Sequence, residues 1–367
     1  MYTYLYIIIL IFTFNYEMVH LKDKIIECFK LMIFKVQKDN PKGAHFKIKA
    51  YNDVCKALLE TDTYPHTFPE IKQILLDYGM KNPTKTLEKI KEIIETGTLQ
   101  QVEGLKWDTG IQALRNLTKV YGIGPKNAMK LYEEQGIFTV NVLKEAFAQD
   151  STILNNKQAL GLKYYDDLQK KIPRSEMDVY KKTLHEAIHE LRTELRNPDI
   201  HLSINGSYRR GKSQSGDIDV LITGEGDTSY IRKAFIKKIL QKKVLIETLA
   251  NGKKKFMGIS KLPHHATYRH MDIIDTSERE YAFAQLYFTG SAGFNTKMRN
   301  IALKKGYSLN EYRLSYKTTK KSVEDEEYMK KLGQFYCKTE KDIFRFLDME
   351  YVHPTERKDI ILSKYLN

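Results

Sequence analysis

Residues 206–219 read "GSYRRGKSQSGDID", and "VLIT" (220–223) follows directly. The run "DIDVLIT" alternates and is rich in β-branched residues, which reads as a strand. Side chains alternate along a strand, so Asp217 and Asp219 are expected on one face, with Ile218 and Val220 on the other. Two converging carboxylates raise each other's pKa unless a cation lies between them, and hard oxygen ligands select Mg²⁺ or Mn²⁺. A D-x-D pair alone is common on exposed strands and carries little meaning. Here Gly-Ser, two arginines and Ser215-Gly216 precede it, and the whole string is far more specific.

Gly206-Ser207 should close the strand "HLSIN" (201–205) and open a short helical turn. Backbone N–H groups of that turn, the Ser207 hydroxyl and Arg210 together suit a triphosphate. A third carboxylate would complete a two-metal site. Asp272 in "YRHMDIID" (268–275) is the best candidate, on a strand face shared with His270 and Ile274, whereas Asp275 falls on the opposite face. A metal pair beside a phosphate cradle is the apparatus of nucleotidyl transfer, in which metals activate a 3′-hydroxyl and stabilise the leaving pyrophosphate.

The remaining composition agrees with such chemistry. The 367 residues, 42% of them hydrophobic, have room for several compact units with real cores. A formal charge of +14, from 60 Lys+Arg against 46 Asp+Glu, points to a polyanionic partner, nucleic acid first. The cysteines Cys28, Cys55 and Cys337 are far apart and form neither a zinc ribbon nor a disulfide framework. The opening "MYTYLYIIILIFTFNYEM" is apolar for about fourteen residues, short of the roughly 20 that span a bilayer, and lacks the positive start of a signal peptide. Residues 1–17 are therefore expected to be an extension outside the fold, with Met18 opening the folded part and no membrane association.

From Met18 to about Leu105 apolar residues recur at helical spacing. The helical pattern continues to about Lys170, broken at Gly122-Ile123-Gly124-Pro125. Beyond Lys171 long helices alternate with strand-like runs. In "TKVYGIGPKNAMKLY" (118–132) Val120, Ile123 and Ala128 should pack two helices around a tight glycine turn, whose backbone N–H groups can hold a DNA phosphate. Without its surroundings, a plain helix-helix turn would serve as well. In "TKTLEKIKEIIETGTL" (84–99) Lys85 and Lys89 fall four apart on one helix face. Neighbouring ammonium groups depress each other's pKa, which favours one as an amine nucleophile toward a sugar aldehyde, although lysines on helix faces more often only solvate. The runs "KKILQKK" and "NGKKKF" read as solvated surface.

"GSYRRGKSQSGDIDVL" resembles the palm motif of the family X DNA polymerases, of beta/lambda type. The resemblance continues through "LGLKYYDDLQKKIPRSEM", "KKFMGISKLP", "YFTGSAGFNTKMRNIALKKGYSLNEY" and "TEKDIFRFLDMEYVHPTERKDI". It implies an α+β fold: a helical lyase-like domain (18–105), a helix-hairpin-helix subdomain (106–170), a nucleotidyltransferase palm of mixed sheet and helices (171–281), and a small α/β nucleotide-binding subdomain (282–367). It implies that Asp217, Asp219 and Asp272 bind two Mg²⁺ or Mn²⁺ ions and that Asp272 also takes the primer proton. Ser207, Arg210, Ser215, Gly216 and Lys171 would contact the dNTP triphosphate. Tyr287, Phe288 and Gly290 would pack on its sugar, Asn295 would contact its base, and Arg299 would contact the template side. Gly122 and Gly124 would hold a DNA phosphate, with K⁺ or Na⁺ on the carbonyls of Thr118, Val120 and Ile123. Lys89 matches the Schiff-base lysine of 5′-deoxyribose phosphate lyase activity, supported by Lys47, Tyr51 and Lys85.

The chain departs from the family pattern at Ala292 and Thr296, at His270 and Ile274 beside the third aspartate, and at "YGMKNPTK" (78–85), which stands in place of a first hairpin. The expected partners are dNTPs and gapped or nicked primer-template DNA, bound by a monomer in base-excision repair. The expected setting is a nucleus, or a cytoplasmic replication site of a large DNA virus. A template-independent or other nucleotidyltransferase, such as a terminal transferase, and a DNA-end-binding scaffold stand as the alternatives.

Overall fold

The computed structural model describes residues 2–39, 42–61, 65–80 and 83–357, with side chains from Leu21 onward except that of residue 60. The expectation about residues 1–17 rests on side chains outside the described residues, as do Lys81 and Asn82 of the altered hairpin. The chain divides into two compact units, Met1–Tyr165 and Asp166–Asn367. Among the described residues no helix is long and apolar enough to cross a membrane.

The first unit is helical, with α1 (Tyr2–Asp39), α2 (Ala44–Glu60), α3 (Phe68–Asp77), α4 (Thr84–Thr96), α5 (Thr109–Leu117), α6 (Pro125–Gln135), α7 (Val140–Gln149) and α8 (Asn156–Lys163). Its first core joins Ile25, Phe29 and Met32 of α1 to Val54 and Leu58 of α2, Ile71 and Leu75 of α3, and Ile90 and Ile93 of α4. Its second core gathers Leu114, Leu117, Val120, Ile123, Ala128, Leu131 and Leu143 around the glycine turn. Helix starts follow the sequence signals: Thr67 and Asn155 form capping boxes with Glu70 and Gln158, which satisfies first-turn amides that the helix itself leaves bare.

The second unit opens with α9 (Tyr165–Leu168, whose first residue closes the first unit), β1 (Ile172–Pro173), α10 (Arg174–Leu195), β2 (His201–Ile204), α11 (Gly206–Arg209), β3 (Gln214–Ser215) and β4 (Ile218–Thr223). It continues with α12 (Thr228–Gln241), β5 (Leu245–Asn251), β6 (Lys255–Ser260), β7 (Arg269–Asp275), α13 (Glu278–Thr289) and α14 (Ala292–Lys304). It ends with β8 (Tyr307–Leu309), β9 (Leu314–Tyr316), α15 (Asp325–Leu332) and α16 (Glu340–Phe346).

A five-stranded sheet runs in the order β2-β4-β7-β6-β5, and β4 lies parallel to β7 while the other pairs are antiparallel. Alternation gives this sheet two characters. Ile218, Val220, Ile222, Met271 and Ile273 face a core shared with Met177, Tyr180 and Leu184 of α10 and Phe235 and Ile239 of α12. The other face carries Asp219 and Asp272. A separate core around Phe283, Phe294, Met298, Phe344 and Phe346 supports α13 to α16. The fold is thus α+β, as expected.

One close approach in the first unit depends on a glycine. A Cβ on Gly161 of α8 would stand 2.1 Å from the Tyr121 carbonyl oxygen in the glycine turn, whereas one on Gly136 (φ +67°) would meet nothing within 4 Å. Gly161→Ala should therefore cost about 3 kcal/mol or more through overpacking, and Gly136→Ala only about 1 kcal/mol of left-handed strain. Denaturant unfolding of the two variants checks the order, and equal losses would show that α8 yields to the added carbon.

Candidate active site

β4 and β7 are register-paired so that Asp219 lies beside Asp272 on adjacent parallel strands. Asp217 departs from the expected placement. β4 begins at Ile218, so Asp217 sits in the bend before the strand. The cause lies upstream, where β1 and β3 form their own two-stranded sheet through the pair Ile172↔Ser215, and Gly216-Asp217 must turn the chain from one sheet to the next. The same pairing brings Lys171 close to that bend, with its Nζ 3.6 Å from where a Cβ on Gly216 would stand. Arg269 fixes this edge from beneath. It is buried in a bidentate ion pair with Glu176 (Nε–Oε1 2.8 Å, Nη2–Oε2 2.7 Å) and donates Nη1 to the Lys170 and Lys171 carbonyls.

The glycine-serine turn falls where the sequence put it, closing β2 and opening the single turn of α11. Asn205 donates its amide to the Asp219 carbonyl at 2.8 Å, which seats the turn on the carboxylate strand. Gly206 adopts φ +58°, and a Cβ there would stand 2.1 Å from Asp219 Oδ2. A side chain here would push the Asp219 carboxylate from its place and strain the left-handed backbone, which favours glycine as the first residue of the motif. Arg174 holds the other side of the turn, donating to the Tyr208 and Lys212 carbonyls at 3.0 and 3.3 Å and stacking on the Tyr208 ring. The Tyr208 hydroxyl donates to Asp178 at 2.6 Å.

The two arginines of the motif have different neighbours. Arg209 clamps Glu340 of α16 (Nη1–Oε1 3.0 Å, Nη2–Oε2 2.6 Å) and donates to the Thr289 hydroxyl. Glu340 is nearly inaccessible and also takes Arg357 Nη1 at 2.7 Å. Burial pushes the Glu340 carboxyl up, but the Arg209 hydrogen bonds and the Arg357 charge outweigh it and hold it below the usual range. Arg210 instead donates Nη1 to the Thr289 carbonyl at 2.5 Å, beside Gly290 at the end of α13. This network was not legible in the sequence, because its partners stand 131 residues apart.

Tyr287, Phe288, Asn295 and Arg299 also come together. The Tyr287 and Phe288 rings meet edge to face at 5.0 Å, Asn295 Nδ2 donates to the Tyr287 carbonyl at 2.7 Å, and the Arg299 guanidinium lies over the Tyr287 ring at 5.3 Å. Arg299 also faces Glu311 at 3.6 Å. Phe288 shares one crevice with Asn205, Asp219 and Asp272. An aromatic ring and a carboxylate pair therefore border the same narrow gap.

Charge at this gap is unbalanced. Burial first, then Asp217 and Asp272, push the Asp219 carboxyl up to about 7, and burial with Asp272 raises Asp217. Asp272 is buried, its Oδ1 has no hydrogen-bond partner among the described residues, and its Oδ2 lies 2.5 Å from Lys255 Nζ. His270 Nε2 stands 3.7 Å from Oδ1. Among the described residues no three His, Cys, Asp or Glu side chains already close on one point as a ligand set. Two destabilised carboxylates beside one with a bare buried oxygen still form a donor set that suits a hard divalent cation. Asp275, the weaker sequence candidate, lies on the other face, where it pairs with Arg232 at 2.8 Å and accepts from Thr228 at 2.9 Å.

In the first unit, Gly122 adopts φ +87° and Gly124 precedes α6 without a side-chain cap, which leaves first-turn amides available to a phosphate. Of the carbonyls proposed for a monovalent cation, that of Val120 accepts the Ile123 amide at 3.0 Å, and Thr118 ends α5. Lys85 and Lys89 lie one turn apart on α4, exposed and half-buried respectively. Lys47 and Tyr51 lie one turn apart on α2, and both helices pack on α1. Tyr51 is buried edge to face on Phe29 at 5.5 Å, and burial raises its phenol.

The chain matches the family described as DNA polymerase beta palm over residues 171–277, DNA polymerase beta thumb over 284–358, and the fingers domain of DNA polymerase lambda over 115–169. It is 33% identical to DNA polymerase lambda of Rattus norvegicus over 279 residues, which is 74% of this chain and 46% of that protein. It is 29% identical to DNA polymerase lambda of Arabidopsis thaliana over 315 residues, 82% of this chain and 56% of that protein. The chain thus spans about half the length of these curated relatives.

The raised Asp219 carboxyl has a consequence for stability. The folded state binds this proton more tightly than the unfolded chain, where an aspartate titrates near about 3.9. The contribution therefore favours folding below about pH 4 and is lost as pH rises through about 7. With divalent cations chelated, Asp219→Asn should be more stable than wild type at pH 8 by about 2–4 kcal/mol, and the gap should close toward pH 4. Thermal unfolding across that range checks this, and a variant no more stable than wild type at pH 8 would contradict it.

Proposed function

The chain belongs to the family X DNA polymerases of beta/lambda type, and from that premise we propose that it adds deoxynucleotides to a primer 3′-hydroxyl under the direction of a template, filling short gaps in DNA. Polymerases of this family need a divalent metal, and DNA and nucleotides are their substrates. The observation that carries the reading is the register that lays Asp219 beside Asp272 on parallel strands, under a glycine-serine turn that glycine allows to approach so closely.

Asp217, Asp219 and Asp272 would hold two Mg²⁺ ions. When bound, these ions supply Lewis-acid activation of the primer hydroxyl and neutralise charge on the leaving pyrophosphate. Asp272 presents a buried oxygen without a hydrogen-bond partner among the described residues, suited to receive the hydroxyl proton. Ser207, the amides of α11, Arg210, Ser215, Gly216 and Lys171 bind the triphosphate. Tyr287, Phe288 and Gly290 pack on the sugar, with Asn295 at the base and Arg299 toward the template. Gly122-Ile123-Gly124 holds a phosphate of the primer strand, with K⁺ or Na⁺ on the Thr118, Val120 and Ile123 carbonyls. The protein acts as a monomer on gapped DNA, and Lys89 adds 5′-deoxyribose phosphate lyase activity by forming an imine with the sugar aldehyde.

Single-nucleotide extension on a one-nucleotide gap tests the main reading. Wild type should insert the nucleotide complementary to the template, and Asp272→Ala should lower the rate by on the order of 10³-fold or more. Insertion that ignores the template base would favour a terminal transferase, and undiminished activity in the variant would remove Asp272 from the site. For the lyase, borohydride should trap the protein on an incised abasic site, and Lys89→Ala should abolish the adduct. A cross-link that persists would move the nucleophile elsewhere.

A further inference from the structure

The run "NGKKKF" (251–256) reads as solvated surface from the sequence, yet the structure ties it to the carboxylates. The turn between β5 and β6 is closed by the Gly252 amide on the Lys255 carbonyl at 2.8 Å. It is held from beneath by Arg232 of α12, which is 1% exposed. Arg232 donates Nη2 to the Gly252 and Lys253 carbonyls at 3.0 and 2.9 Å, and its Nε meets Asp275 Oδ1 at 2.8 Å. Asp275 is fixed in turn by the Thr228 hydroxyl. A buried, compensated ion pair thus sets where the turn ends and β6 begins.

That placement decides which lysine reaches the site. In the β6–β7 register Lys255 stands opposite Ile274, one alternation step from Asp272 on the same face. Lys254 departs the other way, to Glu280 at 3.8 Å. The Lys255 stem is 43% exposed while Asp272 is 11% exposed, so the ammonium enters from the solvent side and rests on a carboxylate that faces inward. We propose that Lys255 is the built-in counter-ion of Asp272 in the metal-free protein, occupying the charge position of a divalent cation, so that the cation must displace it from Oδ2 on entry. This rests on the metal-site reading above. Lys255 therefore sets the metal affinity of the free enzyme, and Asp272 is handed to the metal only when the ammonium leaves it.

The test is Mn²⁺ binding to the full-length, DNA-free protein, followed by electron paramagnetic resonance, with catalysis left out of the readout. Lys255→Met should tighten Mn²⁺ binding by about 3- to 10-fold, because the competitor is gone. Lys255→Arg should stay near wild type, as should Lys254→Met, whose lysine faces Glu280. Unchanged or weaker binding in Lys255→Met, in a variant with the wild-type circular-dichroism spectrum and melting profile, would overturn the proposal. An Asp219→Asn control separates the two readings. If it leaves Mn²⁺ binding at the wild-type level, the metal site itself falls and this inference with it. If it weakens binding while Lys255→Met changes nothing, only the counter-ion role falls.

Discussion

Like charges cannot be held side by side in a partly buried place without a compensating charge, and Asp217, Asp219 and Asp272, at and just before the paired strands β4 and β7, impose that condition on this half of the chain. Asp219 and Asp272 are neighbours because β4 and β7 run parallel in register. Asp217 joins them because a two-stranded sheet delivers the chain to β4 through a bend. Burial first, and then the neighbouring aspartates, raise the carboxyls of Asp217 and Asp219. Cations, whether Lys255 at Asp272 or a metal at all three, are what the arrangement calls for.

The surroundings make sense as means of holding these charges in place. The reverse face of the sheet packs an apolar layer against α10 and α12, interrupted by the buried Arg232–Asp275 pair. Outside the site, buried charge meets buried opposite charge in Arg269–Glu176, Arg232–Asp275 and Arg209–Glu340–Arg357. Each of these pairs anchors a segment that borders the site: the Lys171 edge, the lysine turn, and the junction of α11 with α13 and α16. Removing one partner of such a pair leaves an uncompensated buried charge, a loss of about 3–5 kcal/mol, so these contacts are positional as well as structural.

The α+β class and the strands of the palm were legible in the sequence, because alternation on β4 and β7 separates aspartates from β-branched residues in the text itself. The glycine-serine turn after β2 was legible as a turn, though the close passage of Asp219 over its glycine appears only in three dimensions. Asp217's position before the strand was not legible, since nothing in "SGDID" says that Ser215 pairs with Ile172. Asp275 could be assigned to the opposite face by parity, but its partner Arg232 is 43 residues upstream with no signal linking them. Lys255 was hidden among four neighbouring basic or turn residues, and only cross-strand register distinguishes it from Lys254. The glycines of the hairpin at 122–124 were readable, whereas Gly161, on which the packing of α8 over Tyr121 depends, lay inside a helical run with no turn signal.

In the proposed function the three carboxylates form one divalent-metal centre beneath the Gly206–Arg210 turn. Crystals of the protein with gapped DNA, a non-hydrolysable deoxynucleotide and Mn²⁺, measured at the manganese edge, test it most directly. Anomalous peaks liganded by Asp217, Asp219 and Asp272 are expected, with the triphosphate against Ser207 and Arg210. Manganese bound elsewhere, or a triphosphate away from that turn, would contradict it.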